Sequence, residues 1–408
     1  MKALSAVFRR DGRYLTVWVD YETGKAEVIP TDSLPDRKIA PALIGETASY
    51  VRIPAGTNAV PLTYGPAAGG LGQAGAFELL TYGERIVAIR PVYGYKRRGI
   101  EEEMLNRPVG ESLVVLERAA GNFAMAYTYA FLRALEENPD EEVWGVRQVL
   151  LELERLYNHF NVIHKLAGAA SQKVATMHFH ALEEDVLRVF SRLVGHRYGF
   201  GANGPGEVRI LDRNVIERIN DIKREFLGLQ EELLESKIFI DRLHNTCRLT
   251  REDVIELDAV GIAARGSGVP RDVRAFDRFY SYEPITCREG DALARMMVRM
   301  EEIEKSFEII ESVDVRSVKS DPSVKDGLNL GLSEAAHGDV LTLVEAEGGK
   351  VRWIGLRGAS RINYIAFARG ITGNIFTDFP FGLESFGLNF ADADLWQGVR
   401  IDVDTQGA

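Results

Sequence analysis

The chain has 408 residues, a formal net charge of -11, 46% hydrophobic residues and 27% charged ones. This is the balance of a soluble globular protein long enough for one large or two ordinary domains. It argues against a dedicated nucleic-acid binder, which would carry a basic face, and no apolar run reaches the roughly 18 residues needed to span a bilayer. In chain order, residues 1–95 read as strands. Tyr14–Val19 and Ala26–Ile29 flank a turn at Glu22-Thr23-Gly24, and Phe77–Thr81 and Arg85–Ile89 flank Tyr82-Gly83-Glu84, the pattern of two hairpins. Between them, Gly65-Pro66-Ala67-Ala68-Gly69-Gly70-Leu71-Gly72 lacks the spacing and strand-to-helix setting of a phosphate cradle and reads as a flexible loop.

From about residue 110 the apolar period becomes helical. Segments 112–136, 141–168, 179–197 and 211–237 place apolar residues at helical spacing, and closely spaced long helices imply a bundle. Residues 288–313 form another amphipathic helix, with Glu301, Glu302, Glu304 and Lys305 assigned to its wet side. A Gly-, Ser- and Asp-rich stretch over 314–338 follows, then a hairpin of 339–347 and 350–356 around Gly348-Gly349. The expected fold is α+β: an N-terminal antiparallel β-rich region, residues 1–95, packed on a long-helix bundle. That bundle region spans 96–408 and carries a C-terminal β hairpin.

Cys247 and Cys287 form no CxxC pair, so neither a disulfide framework nor a thiolate metal site is expected. His159 and His164 lie five apart on a helix, and His178 and His180 alternate as in an extended segment, so no zinc pattern arises. The opening segment turns charged at Arg9-Arg10-Asp11 before a signal-peptide core could form, which makes the cytoplasm the default location.

Six segments, in order, carry a family resemblance. They are Gly94-Tyr95-Lys96-Arg97-Arg98-Gly99-Ile100-Glu101, Leu116-Glu117-Arg118-Ala119-Ala120-Gly121-Asn122-Phe123 and Glu154-Arg155-Leu156-Tyr157-Asn158-His159. The others begin at Ala264-Arg265-Gly266, Gly290-Asp291-Ala292 and Asp378-Phe379-Pro380, the last running to Asp394. Together they resemble the [NiFe]-hydrogenase large subunit and the complex I 49-kDa subunit, and the likeness is strongest to a cysteine-less large subunit of the energy-converting hydrogenase-related type. The likeness covers residues 50–395.

The resemblance implies four thiolates holding nickel and iron, soft donors for soft metals. At those positions stand Ala120, Phe123, Asn389 and Asp392, so no metal is assigned to this chain. The quinone-reducing relatives use a His in a GPQHP-type loop and a Tyr shortly after the GYLHRG segment. Ala68 and Val109 fall there, and the alternative match Gly56-Thr57-Asn58-Ala59-Val60 also lacks His. The EAPRGE arginine that faces the family's site falls on Gly348, within Glu345-Ala346-Glu347-Gly348-Gly349-Lys350.

What persists is Glu101, matching a carboxylate that hands protons from the hydrogenase centre, and Asp394, the acid of the last motif. They are the candidate proton relay. Arg98 and Arg118 are expected to pair with Glu101, Glu117 or Asp392 as an internal, structural ion network, and Asn389, Asp392 and Asp394 are a set that would hold a hard cation such as Mg²⁺ only incidentally, as exposed C-terminal carboxylates do. The resemblance further implies an iron–sulfur cluster in a partner small subunit and membrane ion-pumping subunits below. The chain would then be peripheral, on the cytoplasmic side of the membrane. Its role would be coupling, scaffolding or proton relay within a proton-translocating oxidoreductase complex, with reduction of a quinone or another acceptor as the alternative. Whether the chain is itself an enzyme stays open at this point.

Overall fold

A computed structural model describes residues 2–34 and 58–395 except Pro139, Arg278, Phe279 and Ser281, so Gly56-Thr57 and residues 396–408 lie outside the described chain. Strands β1 (Lys2–Arg10), β2 (Arg13–Asp20) and β3 (Lys25–Thr31) form an antiparallel meander. A second meander joins β4 (Val60–Tyr64), β5 (Ala76–Tyr82) and β6 (Arg85–Val92). Helices α1 (Ile100–Met104), α2 (Val109–Leu116), α3 (Ala124–Leu135), α4 (Glu141–Ala169) and α5 (Lys173–Val194) follow. After the short strands β7 (Asn203–Gly204) and β8 (Glu207–Val208) come α6 (Arg218–Glu235), α7 (Lys237–Leu243), α8 (Arg251–Glu256), α9 (Gly261–Arg265) and α10 (Ala292–Glu311). Strand β9 (Val318–Lys319) then leads into a third meander of β10 (Gly327–Ala335), β11 (Gly338–Glu347) and β12 (Lys350–Arg357). Helices α11 (Ala359–Ile371), α12 (Phe379–Phe386) and α13 (Phe390–Ala393) complete the described chain.

The α+β class is as expected. The bundle core gathers α3, α4, α5, α6 and α10 around Phe160, Phe179, Phe226 and Phe307, all fully buried. Helix α4 starts where its Asp140 carboxylate accepts the Glu142 and Val143 N–H groups, an N-cap that satisfies orphan donors. The N-terminal strands reach the bundle through the C-terminal elements. Ala6, Phe8, Leu15 and Val17 of β1 and β2 pack on Leu341 and Leu343 of β11, and Phe77 of β5 packs on Tyr364, Phe367, Phe379 and Phe390. Such sheet-on-sheet and sheet-on-helix layering buries one face of each meander.

Four local expectations change. The helix expected over 112–136 is two helices, broken at Glu117–Phe123, where Ala120 is extended. The C-terminal hairpin is three-stranded, because Leu328, Leu330 and Leu332 alternate along β10 inside the stretch taken for an interruption. Met177-His178-Phe179-His180 lies within α5 rather than in an extended segment. Glu302, assigned to the wet side of its helix, is fully buried.

Candidate functional site

Three turns meet at one end of the bundle. The first is the break between α2 and α3, a short 3-10 turn at Gly121–Phe123. The second is Ala336-His337, the tight connection between β10 and β11, and the third is Asn389, whose side chain caps α13 by accepting the Ala391 and Asp392 N–H groups. All four thiolate-equivalent positions are here, and all are buried: Ala120, Phe123, Asn389 and Asp392.

Asp392 is the centre of this arrangement. One carboxylate oxygen accepts the Tyr127 hydroxyl. The other accepts His337 Nε2–H at 2.9 Å and the Ser360 N–H at 2.8 Å. Burial alone would raise this carboxyl, but His337, Tyr127 and Ser360 outweigh it and hold it below the usual carboxylate range. Phe123 lies flat on the His337 imidazole, with ring centroids 3.9 Å apart and planes 14° from parallel. Gly358 faces Asp392, and a Cβ there would overlap the carboxylate.

A cavity of about 480 Å³ opens beside these groups. Amides form one part of its polar wall, beside the charged Lys165, Glu183, Arg299 and Glu384. Asn389 donates to the Asn122 side chain, Asn122 donates to Asn158 at 3.2 Å, and Asn158 donates back to the Asn122 carbonyl at 2.7 Å. The glycine-rich loop is not idle, since Gly70, Leu71, Gly72 and Gln73 line the cavity and Gln73 accepts the Ala391 N–H at 3.1 Å.

Arg299 of α10 links the cavity to a buried ion cluster. It donates to His159 Nδ1 at 2.9 Å, and His159 Nε2 meets Glu302 at 2.9 Å. An arginine only donates, so Nδ1 accepts and the proton sits on Nε2. Burial drives His159 down to about 3, consistent with a neutral ring. Glu302 also takes Arg265 at 2.8 Å and Arg274 at 3.0 Å. Asp272 bridges the same two arginines, Glu334 takes Arg265 at 2.6 Å, and Glu152 takes Arg155 at 2.9 Å. Burial raises Glu302, but Arg265, Arg274, His159 and Arg155 pull it well below its ordinary value. The signal for this hub was a polar stripe, Arg295, Arg299, Glu302 and Ser306, at helical spacing on the face of α10 that the apolar residues assign to the core.

The other predicted residues sit as follows. Glu101 is buried in α1, although Glu102 and Glu103 beside it are exposed, and its charge is close enough to add to the forces raising the Tyr127 hydroxyl. Asp394 is buried rather than exposed and accepts the Gly94 N–H at 2.8 Å and the Lys96 N–H at 2.6 Å, clamping that segment to α13. Arg98 donates to the Ala119 carbonyl at 3.1 Å. Glu117 accepts the Gly201 N–H at 2.7 Å and meets Arg118 at 3.8 Å, and half-exposed Arg118 lies over Phe200. Arg98, Glu117 and Arg118 thus fasten the motif to its surroundings and do not line the cavity, where the ion network had been expected; a buried network lies instead around Glu302.

Comparison with known proteins bears on this arrangement. Residues 168–326 match the family described as respiratory-chain NADH dehydrogenase, 49 Kd subunit. The chain is 23% identical over 363 residues to the D-type subunit of the NADH-quinone oxidoreductase of Thermosipho melanesiensis, covering 82% of this chain and 99% of that one. It is 24% identical over 364 residues to the alpha subunit of the membrane-bound hydrogenase of Pyrococcus furiosus, covering 80% and 85%. The chain is similar to the 49-kDa and hydrogenase large-subunit proteins over most of its length. Its fold is also that of a chain in the membrane-bound sulfane sulfur reductase, an archaeal respiratory membrane complex (TM-score 0.75, 24% identity, covering 84% of this chain and all of that one).

Within that family frame the metal does not fit. Ala120 and Phe123 offer no donor, the Asn389 amide is committed to its cap and to Asn122, and Asp392 already accepts three hydrogen bonds. A nickel–iron centre needs soft thiolates, and the buried set here is hard and occupied. Among the described residues no group of three His, Cys, Asp or Glu side chains could hold a metal ion. The placement of the EAPRGE segment also changes. Gly348 is exposed in the β11–β12 turn, whereas Glu334-Ala335-Ala336-His337-Gly338-Asp339 forms the turn at the cavity, so the site-facing position is His337. Sequence reasoning missed this histidine because 345–350 and 334–339 match the segment at the same three positions, Glu, Ala and Gly, and only the fold separates them.

Proposed function

We propose that this chain is the large-subunit-like component of a membrane-associated oxidoreductase complex related to complex I and to membrane-bound hydrogenases. Its role there is coupling, scaffolding or proton relay rather than nickel–iron chemistry. One observation carries the reading: the four thiolate positions converge, and a Tyr127–Asp392–His337 chain of hydrogen bonds fills the place of the metal. The names of two relatives, a subunit of an NADH-quinone oxidoreductase and one of a membrane-bound hydrogenase, support assembly into a multi-subunit complex, and the partners we propose are an iron–sulfur small subunit and ion-pumping membrane subunits. Among the described residues no helix is long and apolar enough to cross a membrane, which suits a peripheral position that we place on the cytoplasmic side.

For proton relay, Glu101 near Tyr127 and the Tyr127–Asp392–His337 chain supply groups that hold and pass a proton toward the cavity. Asp394, tied up by two backbone N–H groups, positions the Gly94–Lys96 segment. The cavity of about 480 Å³ favours a second reading, a redox subunit that passes electrons from a partner cluster to a quinone or another acceptor. Val109 does not line that cavity, and neither does Ala68, so a quinone there would bind through other groups than those of the quinone-reducing relatives.

Native purification tests the reading. The chain is expected to leave membranes only with detergent, together with an iron-containing partner and without stoichiometric nickel. Nickel at one atom per chain, or a monomer in the soluble fraction, would overturn it. Glu101→Gln in the assembled complex is expected to lower proton-coupled activity, and unchanged activity would leave the scaffold role alone standing.

A further inference from the structure

At the rim of the cavity a glutamate that lines it stands beside a histidine that reaches solvent. Glu183 of α5 accepts the Asn161 side-chain N–H at 3.0 Å through one oxygen. Its other oxygen, Oε2, is buried and has no hydrogen-bond partner among the described residues, yet it lies 3.3 Å from His164 Nε2. The Asn161 amide explains why the bond is not made. A carboxylate only accepts, so the amide turns its NH₂ group to Glu183 and presents its second N–H to His164 Nε2 at 3.3 Å. A ring nitrogen that accepts carries its lone pair, which leaves Nε2 with no proton to offer Oε2. An unfilled buried acceptor calls for a partner, and one proton on Nε2 supplies it.

The surroundings give that proton a way in. The His164 side chain keeps 17% of its surface exposed, and the exposed His180 ring stacks on it with centroids 4.9 Å apart. Charged groups beside these two have partners of their own. Lys165 meets Glu384 of α12 at 3.4 Å on the cavity wall, Glu184 takes Arg188 and Arg197, and His178 lies 3.8 Å from Glu225 of α6. We propose that His164 and Glu183 are the proton entry to this cavity, taking a proton from solvent on Nε2 and handing it to Oε2. This rests on the proton-relay reading above and names where the relay begins. The step balances without a co-reactant. Nε2 takes a hydrated proton as the Asn161 N–H lets go, which makes the ring an imidazolium. Its N–H bond then breaks toward Oε2, leaving a carboxylic acid on the cavity wall and a neutral ring that Asn161 caps again. His337 bounds the same cavity, so a proton leaving Glu183 enters the space beside the Tyr127–Asp392–His337 chain.

Two measurements test the pair and its role separately. In the purified full chain carrying ¹⁵N-labelled histidine and ¹³C-labelled glutamate, the His164 ring and the Glu183 carboxyl are expected to change together over one pH span. His164→Gln and Glu183→Gln assign the two signals, and in His164→Gln the Glu183 signal should no longer move over that span. Separate midpoints in the wild-type chain, or a Glu183 signal that moves as before without His164, would overturn the pair whatever the complex does. In the assembled complex, His164→Gln is expected to slow proton-coupled turnover about a hundredfold, the lower end of what a positioned proton-transfer group contributes. Added imidazole should restore much of the rate, since a diffusing base replaces a lost proton carrier but not a lost packing contact. Full turnover without His164, or a loss that imidazole does not rescue, would overturn the entry role. A wild-type complex that moves no protons would overturn the relay reading and the entry role with it, while a joint titration of His164 and Glu183 would still stand.

Discussion

Asp392 stands at a position that the sequence resemblance matches to a thiolate, and its three donors make it structural in a way a metal ligand is not. Removing one donor leaves a buried acceptor short by a single bond, whereas removing the carboxylate strands Tyr127, His337 and Ser360 together. Tyr127→Phe is therefore expected to lower the unfolding free energy by about 1–3 kcal/mol. Asp392→Ala is expected to cost more, about 3–5 kcal/mol, as is usual when one partner of a buried charged set is lost. Denaturant titration with unchanged m-values measures both, and an Asp392→Ala loss no larger than that of Tyr127→Phe would count against the network. Gly358 belongs to the same argument, because any Cβ there meets the carboxylate. Residue chemistry of this kind was half legible. The sulfur-free positions stood out at once in the motifs, but His337 came into view only when the β10–β11 turn was seen to face them.

The elements that the sequence placed best are those whose pattern is set by local physics. Helix α4 runs over Glu141–Ala169 against an expected 141–168, since an Asp N-cap and a long apolar period fix it. Strand β10 escaped because its glycines read as breakers. Gly331 is there for contact: a Cβ would overlap the Ala130 carbonyl, so the glycine lets α3 lie directly on the strand. The wet-side assignment of Glu302 failed for a different reason. Charge type argues for solvent, yet a carboxylate that faces several arginines is more stable inside than either sign alone. Helix α10 therefore carries its polar stripe inward, from Arg295 through Arg299 to Glu302. Glu302→Gln is expected to destabilise the fold by about 3–5 kcal/mol, since Arg265 and Arg274 would lose their shared counter-charge. A loss below about 1 kcal/mol in thermal or denaturant unfolding, the level of a surface pair, would remove Glu302 from the centre of the cluster.

Across the whole molecule these buried charges make stability depend on pH in opposite senses. Burial pushes Glu154 up to about 8 despite the Met125 and Ala126 N–H groups that it accepts. Burial and the neighbouring Asp272 likewise take Glu334 up to about 8, against the pull of Arg265. An acid raised in the folded state holds its proton where the unfolded chain has released it. Its stabilising share is thus complete below the ordinary value of 4.5 and is lost as pH climbs through about 8. Glu302 and Asp392, held low, act the other way, and their share is lost as pH falls below the ordinary carboxylate range. The unfolding free energy should therefore decline most steeply between about pH 6.5 and about pH 8, since below 6.5 the buried neutral His159 opposes the two raised acids. Glu154→Gln is expected to weaken the protein at about pH 5, where the neutral acid is at home, but to flatten the decline toward about pH 8 because the amide has no proton to lose. The slope carries the argument, not the level: denaturant midpoints that fall as steeply with pH in Glu154→Gln as in the wild-type chain would show that Glu154 is already ionised inside the fold. Its two backbone donors would then outweigh its burial.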